Sequence, residues 1–288
     1  MRRGGIGDFI LSLPLLSALS SRCSEVCLIT KREYLDLLPH ETFYTHFLNV
    51  DGAALQSLYR ENGPSRELVQ YAEGAAVYLF GKRDTATERS FYQAGAETVY
   101  WLNPRPRRPP HIARRFFLEA EEPLPPDWWQ IRLSGDAESD NGEHLWLHPG
   151  SGSDTKNVKL KMFLRLAHGW YMRHGRKVWL SFGPADTHLF EPMTELLSEY
   201  GIPFNYLYCP ELQTLIKYLQ AKTRVFIGND SGISHLAAYL GKPTVAMFRS
   251  TDPQIWRPLG NCVVLPPEGK QGESHGLPFS TSHVVPGK

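Results

Sequence analysis

The chain has 288 residues, and its 31 Lys and Arg nearly balance its 30 Asp and Glu, which gives a formal net charge of +1. This balance argues against an electrostatic nucleic-acid binder, which needs a basic excess. Hydrophobic residues make up 42% of the sequence, too many for a disordered chain and enough for the cores of about two domains. Four cysteines are too few for a disulfide scaffold in a chain of this length, and their spacing excludes a zinc knuckle. Both observations favour a reducing compartment.

The N-terminal residues share some features with an export signal but do not fit one. Two arginines precede an apolar run at residues 9–19, as they do in secretion signals. Asp8 lies between the arginines and that run, and Pro14 and serines interrupt it. No segment has the roughly 20 consecutive apolar residues that a membrane-spanning helix needs. We therefore expect a cytoplasmic protein.

In the first half of the chain, short apolar runs alternate with stretches of helical spacing. The pattern predicts strands at residues 26–29, 75–80 and 98–102, and helices at residues 12–21 and 65–72. Alternation of this kind is typical of parallel sheets that are covered by helices.

The second half of the chain shows the same alternation. The predicted strands lie at residues 144–147, 177–181, 204–208, 224–227 and 243–248. The predicted helices lie at residues 160–173, 189–200, 211–221 and 231–240. Both halves therefore belong to the same general α/β type.

A polar, acidic segment at residues 134–143 contains no apolar residue larger than alanine, and it predicts a linker. We therefore predict two α/β domains, at residues 1–133 and 143–265. The tail, residues 266–288, is rich in Gly, Pro, Ser and His and is predicted to have little regular structure. In open parallel sheets the ligand site lies beyond the carboxyl ends of the strands, so we expect it in the cleft between the domains.

The first motif is GGIGD, residues 4–8, directly before a helix-like run. Glycines at such a place let the backbone approach a ligand and leave N–H groups at the positive end of a helix. Asp8 is either an acid that caps the helix, worth about 1 kcal/mol, or a general base that faces the cleft. The motif lacks the G-x-G-x-x-G spacing, which argues against a nicotinamide-dependent oxidoreductase.

The second motif is HPGSGSDTK, residues 148–156, which follows an apolar strand. Small and hydroxyl-bearing residues after a strand form a loop that can wrap an anion with backbone N–H groups. Lys156 adds a positive charge that suits phosphate. The alternative is an ordinary hydrophilic turn with an exposed lysine.

The third motif is FIGNDSGISH, residues 226–235, in which a buried strand is followed by a helix that begins near Ser231. The N–H groups of residues 231–233 would form an anion site at the helix N-terminus. His235 falls within the first turn and a half and could reach the same site. The alternative is that Asp230 caps the helix and that His235 is a buried core residue.

Two further sets of basic residues have two interpretations each. Arg249 follows the next strand, where it either supports a phosphate or is solvated. Another set lies in and after a segment rich in Pro and Arg: Arg105, Arg107, Arg108, Arg114 and Arg115. These five arginines either meet an anionic lipid acceptor or membrane surface, or form a solvated loop.

Taken together, the motifs resemble glycosyltransferase family 9, the ADP-heptose:lipopolysaccharide heptosyltransferase family. Four stretches between residue 1 and about residue 265 carry the resemblance: GGIGDFILSLPLL, LHPGSGSDTKN, FIGNDSGISHLAAYLGKPTVAMF and STDPQIWRPLG. The resemblance implies a GT-B fold, in which two Rossmann-like domains face each other across a cleft. The first would be the acceptor side and the second would bind the nucleotide-sugar.

The resemblance also implies an activity. It is the inverting, metal-independent transfer of a sugar from a nucleotide diphosphate to an acceptor hydroxyl, as in lipopolysaccharide or surface glycan assembly. The expected donor is ADP-heptose, and the expected acceptor is a saccharide or a lipid-linked glycan. No cofactor, metal or nucleic acid is implied, and the inner membrane surface is a candidate peripheral contact.

The resemblance assigns roles to individual residues. Asp8 would be the catalytic base, and Lys156 would bind the diphosphate and stabilise the leaving group. Further donor contacts would come from Ser151, Gly152, Asp230, Ser231, Gly232 and His235. Asp186 and Arg249 are additional candidates for donor binding.

The chain departs from the family pattern at its N-terminus. Only three residues precede the glycine motif, where the family has a strand, so we expect the first strand of the N-terminal sheet to be missing. This departure leaves an alternative function, a non-catalytic or degraded GT-B protein that retains nucleotide binding. The presence of Asp8, Lys156, Asp230 and His235 favours the enzyme.

Overall fold

The computed structural model describes residues 1, 4–38, 43–59, 63–131, 133 and 142–265. The predicted irregular tail and nearly all of the predicted linker lie outside the described residues. Within the described residues, no helix is both long and apolar enough to cross a membrane.

The N-terminal half, residues 1–131, contains short strands and helices in alternation. Its helices are α1 (Ile6–Ile10), α2 (Leu13–Ser20), α3 (Ala53–Gln56), α4 (Arg66–Ala72), α5 (Thr85–Gln93) and α6 (Ile112–Glu119). Its strands are β1 (Cys27–Thr30), β2 (His46–Asn49), β3 (Ala76–Phe80) and β4 (Thr98–Leu102). Short 3₁₀ helices lie at Arg32–Leu37 and Ser57–Tyr59.

The C-terminal half, residues 142–265, alternates strands and helices regularly. Its strands are β5 (His144–His148), β6 (Val178–Phe182), β7 (Phe204–Tyr208), β8 (Thr223–Asn229), β9 (Thr244–Met247) and β10 (Cys262–Leu265). Its helices are α7 (Leu160–His174), α8 (Phe190–Glu199), α9 (Leu212–Lys222), α10 (Gly232–Tyr239) and α11 (Pro253–Trp256). Short 3₁₀ helices lie at Asp154–Lys156 and Pro184–Leu189.

The strands of the C-terminal half form one six-stranded sheet in the order β10-β9-β8-β5-β6-β7. Every pairing in this sheet is parallel. The chain moves outward from β5 to β7 and then returns to the other side of β5 as β8. This order is that of a doubly wound sheet, and it places the topological switch point between β5 and β8.

The C-terminal strands are apolar because helices cover both faces of the sheet. All five residues of β6, VWLSF, are buried. The covering helix α7 turns Phe163, Leu164 and Ala167 toward the core, and it ends at Gly175, whose φ of 61° allows the left-handed conformation that closes a helix.

The N-terminal half contains two separate parallel pairs of strands, β1 with β2 and β3 with β4. All strands and helices that the sequence predicts are present within two residues of the predicted bounds. The sequence missed several elements: β2, β10, α3, α5 and α6.

Two apolar clusters join the halves. In one, Phe9 and Leu13 of the N-terminal half pack with Trp146 and Leu236 of the C-terminal half. In the other, residues of α6 pack with Ile255 of α11. The two halves are therefore held together by buried side chains in two clusters.

Candidate active site

The candidate site lies at the switch point of the C-terminal sheet. His148 is the last residue of β5 and Asn229 is the last residue of β8. Strands β5 and β8 are neighbours in the sheet. The loops after them, which contain the second and third motifs, therefore begin side by side. This is where an open parallel sheet binds its ligand.

Helix α10 begins with a well-formed N-terminus. Ser231 is its N-cap, and the Ser231 hydroxyl accepts the Ser234 N–H at 3.3 Å. The Ser234 hydroxyl donates to the Asn229 carbonyl at 2.6 Å, which fastens the first turn to the end of β8. The alternative in which Asp230 caps the helix is therefore wrong, because Ser231 occupies that role. The first N–H groups of α10, starting at Gly232, lie at the positive helix end.

Asn229 holds the second motif in place. Its side-chain amide donates to the Pro149 carbonyl at 2.7 Å, and its side-chain oxygen accepts the Val158 N–H at 3.1 Å. Asn229 is fully buried, so both bonds are shielded from water. Its side chain therefore fastens both ends of the loop that contains Lys156 to the carboxyl end of β8.

Lys156 and Asp230 form an ion pair, with 2.8 Å between Nζ and Oδ2. The Thr251 hydroxyl donates to the same Asp230 oxygen at 2.6 Å. The Asp230 side chain is 5% exposed, whereas the Lys156 side chain is 32% exposed. The carboxylate is thus fixed, and the ammonium remains accessible to an anionic ligand.

Asp8 lies in the first turn of α1 and is half-buried. Its Oδ2 accepts the Gly5 N–H at 3.1 Å, so Asp8 does contribute to capping the helix. This bond leaves room for a second role, because a carboxylate has about four lone-pair sites.

Helix α1 packs directly against α10. A Cβ atom on Gly7 would come within 2.9 Å of the His235 Cδ2 and 3.1 Å of the Gly232 Cα. A Cβ atom on Gly232 would overlap the Ile6 side chain. Only glycines permit this approach, which brings Asp8 into the electrostatic surroundings of α10.

His235 lies next to Gly7 and is affected by the charges of three other site residues. Burial lowers its pKa to about 4; Asp230 and then Asp8 oppose the shift, and Lys156 adds to it. Four predicted site residues, from both halves of the chain, therefore share one electrostatic neighbourhood. Within the described part of the chain, the buried Nδ1 of His235 has no hydrogen-bond partner.

Asp186 lies on the far side of the second motif, next to His148. Its Oδ2 accepts the Gly183 N–H at 3.1 Å and lies 3.6 Å from the His148 Nε2. Burial lowers the pKa of His148, and Asp186 opposes that shift. A Cβ atom on Gly150 would overlap the Asp186 carboxylate, so the backbone of the second motif lies directly on this acid.

The other predicted donor contacts surround the same loop. Ser151 is buried, and its hydroxyl contacts the Asn157 side-chain oxygen at 2.6 Å, whereas Gly152 is exposed. Arg249 is exposed and donates to the Asn157 carbonyl at 2.8 Å. Arg249 therefore braces the loop, and its contact with a phosphate stays a prediction.

The arginines before and within α6 lie apart from this cluster. Arg105, Arg107, Arg108 and Arg114 are exposed. Arg115 donates to the Arg108 and Pro109 carbonyls at 3.0 and 3.2 Å. One arginine thus has a structural role in the loop, and the membrane contact of the others stays a prediction.

The family model of glycosyltransferase family 9 (heptosyltransferase) matches residues 102–271, more than half of the chain. The chain belongs to glycosyltransferase family 9. The matched region includes the second and third motifs and Arg249, so the family match covers the whole C-terminal part of the site. Asp8 lies outside the matched region.

Other proteins resemble this chain in sequence or in fold. A putative glycosyltransferase of Haemophilus influenzae is 24% identical over 144 residues, which are 47% of this chain and 40% of that protein. The chain thus matches less than half of that relative. The crystal structure of a family 9 glycosyltransferase from Veillonella parvula covers 92% of this chain and 85% of its own, with 17% identity and a TM-score of 0.73.

A second solved structure is that of the Escherichia coli ADP-heptose lps heptosyltransferase II. The two structures align over 91% of this chain and 88% of the solved chain, with 16% identity and a TM-score of 0.68. These likenesses show that this family member has the GT-B fold, with an α/β architecture and a parallel multi-stranded sheet, as the sequence predicted.

Sequence reasoning missed two residues of the site. Asn229 lies inside the third motif, and Thr251 lies in the turn after β9, yet neither was assigned a role. Asn229 could have been found because a polar residue at the carboxyl end of a buried strand is a usual ligand or loop contact. Thr251 had no such signal, since its partner Asp230 is distant in the sequence.

Proposed function

We propose that this protein is an inverting glycosyltransferase that moves a sugar from a nucleoside diphosphate to an acceptor hydroxyl. The observation that carries the proposal is the packing of α1, which contains Asp8, against α10 beside the Lys156–Asp230 pair, where the charges of all three residues act on His235. A displacement between two substrates needs both of them held in one geometry. Here the base would come from the N-terminal half and the anion site for the diphosphate from the C-terminal half.

The chemistry is a single displacement. The acceptor oxygen attacks the anomeric carbon as its proton passes to a carboxylate oxygen of Asp8. The bond between that carbon and the diphosphate oxygen breaks, and the electron pair leaves with the nucleoside diphosphate. Attack from the face opposite the leaving group inverts the anomeric centre.

The leaving group carries developing negative charge, and the site provides positive charge to stabilise it. Lys156 is accessible, and the N-terminal N–H groups of α10 begin at Gly232 beside it. In a closed site such fixed donors act as an oxyanion hole does. We therefore propose that the diphosphate is bound by protein groups without a metal ion. Within the described residues, no cluster of three or more His, Cys, Asp and Glu side chains could hold a metal.

The donor is proposed to be ADP-heptose, because one of the structures that share this fold is an ADP-heptose lps heptosyltransferase. The diphosphate would lie between Lys156 and α10, and His235 would offer its buried nitrogen to the donor. Asp186, beyond the second motif, is the candidate for a ribose hydroxyl. The acceptor would be a glycan or lipid-linked glycan on the side of the N-terminal half.

The test compares the native chain with Asp8→Asn. The substituted amide keeps an oxygen that can accept the Gly5 N–H, so the cap is preserved. With ADP-heptose and truncated lipopolysaccharide cores, we expect the rate of ADP release to fall by roughly 10²–10⁴-fold. Donor affinity, measured by calorimetry, should change by less than about threefold.

The matched control is Asp51→Asn, at an exposed position, which should leave the rate unchanged. Loss of donor binding in Asp8→Asn would show that Asp8 is structural and would contradict its role as the base. A native chain that binds donor and transfers no sugar to any core would instead support the alternative, a nucleotide-binding protein without transferase activity. The separation of the β1–β2 pair from the β3–β4 pair is the observation that favours this alternative.

A further inference from the structure

Helices α7 and α8 cover the face of the C-terminal sheet that is turned away from the N-terminal half. Their buried residues pack on β6 in one apolar cluster, and every residue of that cluster belongs to the C-terminal half. The N-terminal half instead packs with the cluster of α9 and α10. Because α7 and α8 are successive crossovers from β5 to β6 to β7, they lie side by side and run parallel to each other. We call their solvent side the outer surface.

Helix α7 presents a basic row on the outer surface. Lys161 and Arg165 lie one helical turn apart, and both are exposed. They face away from Phe163 and Ala167, which are buried against the sheet. No Asp or Glu occurs between residues 154 and 186, although the chain contains 30 of them, so α7 has no acidic residue that could neutralise this row.

Helix α8 presents an acidic row beside the basic one. Glu191, Glu195 and Glu199 are exposed and follow each other at one-turn spacing, opposite the buried Met193 and Leu197. Within the described part of the chain, no charged side chain of either row forms an ion pair. Two rows of opposite charge are therefore neighbours, and both are available to a partner.

We propose that the outer surface is an interface between two copies of this chain, related by a two-fold axis that runs parallel to α7 and α8. Such an axis places α7 of each copy on α8 of the other, so that the surface is complementary to itself. Lys161 and Glu191 are each the second residue of their helix, and both rows advance by about 6 Å per step. Lys161 of one copy therefore lies opposite Glu191 of the other, and Arg165 lies opposite Glu195.

Two exposed apolar side chains fit the same arrangement. Met172, near the end of α7, is 70% exposed, and Tyr200, directly after α8, is 60% exposed. Because the helices of the two copies run parallel, Met172 of one copy would contact Tyr200 of the other and both would be buried. Thioether contacts with aromatic rings of this kind are favourable.

The charge pattern selects a second copy over other partners. A lipid surface or a nucleic acid is uniformly anionic, so the basic row would attract it and the acidic row beside it would repel it. A partner that carries both rows, in the same order and at the same spacing, meets no such repulsion. The chain itself is a partner of this kind.

The test measures self-association by sedimentation equilibrium with two charge-reversed variants. One is Lys161→Glu with Arg165→Glu, and the other is Glu191→Lys with Glu195→Lys. In each variant alone, like charges face each other, and the dimer Kd should rise by at least about tenfold. In an equimolar mixture unlike charges face each other again, so a heterodimer should form with a Kd within about threefold of the native value.

The matched control is Lys217→Glu with Lys222→Glu, at exposed positions of α9 on the other face of the sheet. It changes the net charge as the basic-row variant does, and its dimer Kd should equal the native value. The native dimer should also weaken by roughly tenfold between about 0.05 M and 0.5 M salt, because the pairs are screened.

Four outcomes would overturn the proposal. A native chain that stays monomeric at about 100 μM in low salt would show that the outer surface does not associate. Native dimerisation by either reversed variant alone would place the interface elsewhere, and an equal loss in the α9 control would reduce the effect to net charge. A mixture that stays monomeric would show that the two rows do not meet. Binding of a monomeric native chain to phosphatidylglycerol vesicles, lost in the basic-row variant, would assign that row to a lipid surface.

Discussion

Gly7 and Gly232 lie against each other where the two halves of the protein meet. A Cβ atom on Gly7 would come 3.1 Å from the Gly232 Cα, closer than most real contacts of this kind. The residue after Gly7 is Asp8, and the residue before Gly232 is Ser231, the N-cap of α10. The contact between two glycines therefore determines how near the proposed base comes to the proposed diphosphate site.

Gly7→Ala should weaken this contact. The added methyl group would meet the His235 ring and the Gly232 backbone, and overpacking of this kind costs about 1–3 kcal/mol of unfolding free energy. Denaturant unfolding measures the loss, and the transfer rate should fall with it. The matched control is Gly169→Ala in α7, where nothing lies within 4 Å. That change should stabilise the protein by about 0.5–1 kcal/mol, since alanine is the better helix former. A Gly7→Ala protein as stable as the native one would contradict the close packing.

Asn229→Leu should release the loop that contains Lys156. Leucine has a similar size but leaves the Pro149 carbonyl and the Val158 N–H without partners, at about 1–3 kcal/mol for each buried group. We expect a lower Tm and an affinity for nucleoside diphosphate that is at least tenfold weaker, measured by calorimetry. Asn261→Leu, at an exposed position, is the control and should change neither quantity. Native affinity in Asn229→Leu would show that the loop does not need this clamp.

Acid should destabilise the protein through His111, which is half-buried, and His235, which is buried. Burial lowers the pKa of His111 and of His235 from 6.5 to about 4. As the pH falls through 6.5, the unfolded chain binds protons at both positions, whereas the folded chain does not until about pH 4. Stability is therefore fully present above pH 6.5 and is lost between pH 6.5 and 4, by roughly 1–2 kcal/mol per histidine at pH 5.

The free energy of unfolding at pH 7 and pH 5 measures this effect. In His235→Gln, the difference between the unfolding free energies at pH 7 and pH 5 should be smaller by roughly 1–2 kcal/mol, the contribution of one histidine. It should stay the same in His168→Gln, because His168 is exposed. The same pH dependence in the native and His235→Gln proteins would contradict this account. It would mean that His235 binds a proton at pH 5 as readily in the folded protein as in the unfolded chain.

The sequence predicted the regular parts of the fold better than the irregular ones. Strands such as β6 are continuous apolar runs because both faces are covered, and the pattern is visible in one sequence. In contrast, β2 is only four residues long and half of it is only partly buried, so its pattern is indistinct. Helix α6 has the helical spacing of buried residues at 112, 113, 116 and 117, so its pattern was visible and was overlooked. Its N-cap is a histidine, an uncommon cap, so its start was less distinct.

The site was predictable where each motif follows a strand. The positions of Lys156 and Asp230 at the ends of β5 and β8 follow from the rule that parallel strands place their carboxyl ends together. The pairing of these two residues, and the bond from Thr251, depend on loop geometry that no local pattern contains. The approach of Asp8 likewise required the packing of α1 on α10, a tertiary contact that two glycines far apart in the sequence make possible.

We propose that Lys156 and α10 together bind the diphosphate of a sugar nucleotide. The most direct measurement is calorimetric titration of ADP, UDP, GDP and NAD into the native chain, Lys156→Ala and Lys161→Ala, the last being an exposed lysine of α7. We predict that one nucleoside diphosphate, ADP first, binds the native chain and Lys161→Ala equally. It should bind Lys156→Ala at least tenfold more weakly, while the parent nucleoside binds both variants alike. Equal diphosphate affinity in the two variants, or no binding by the folded native chain, would contradict the claim.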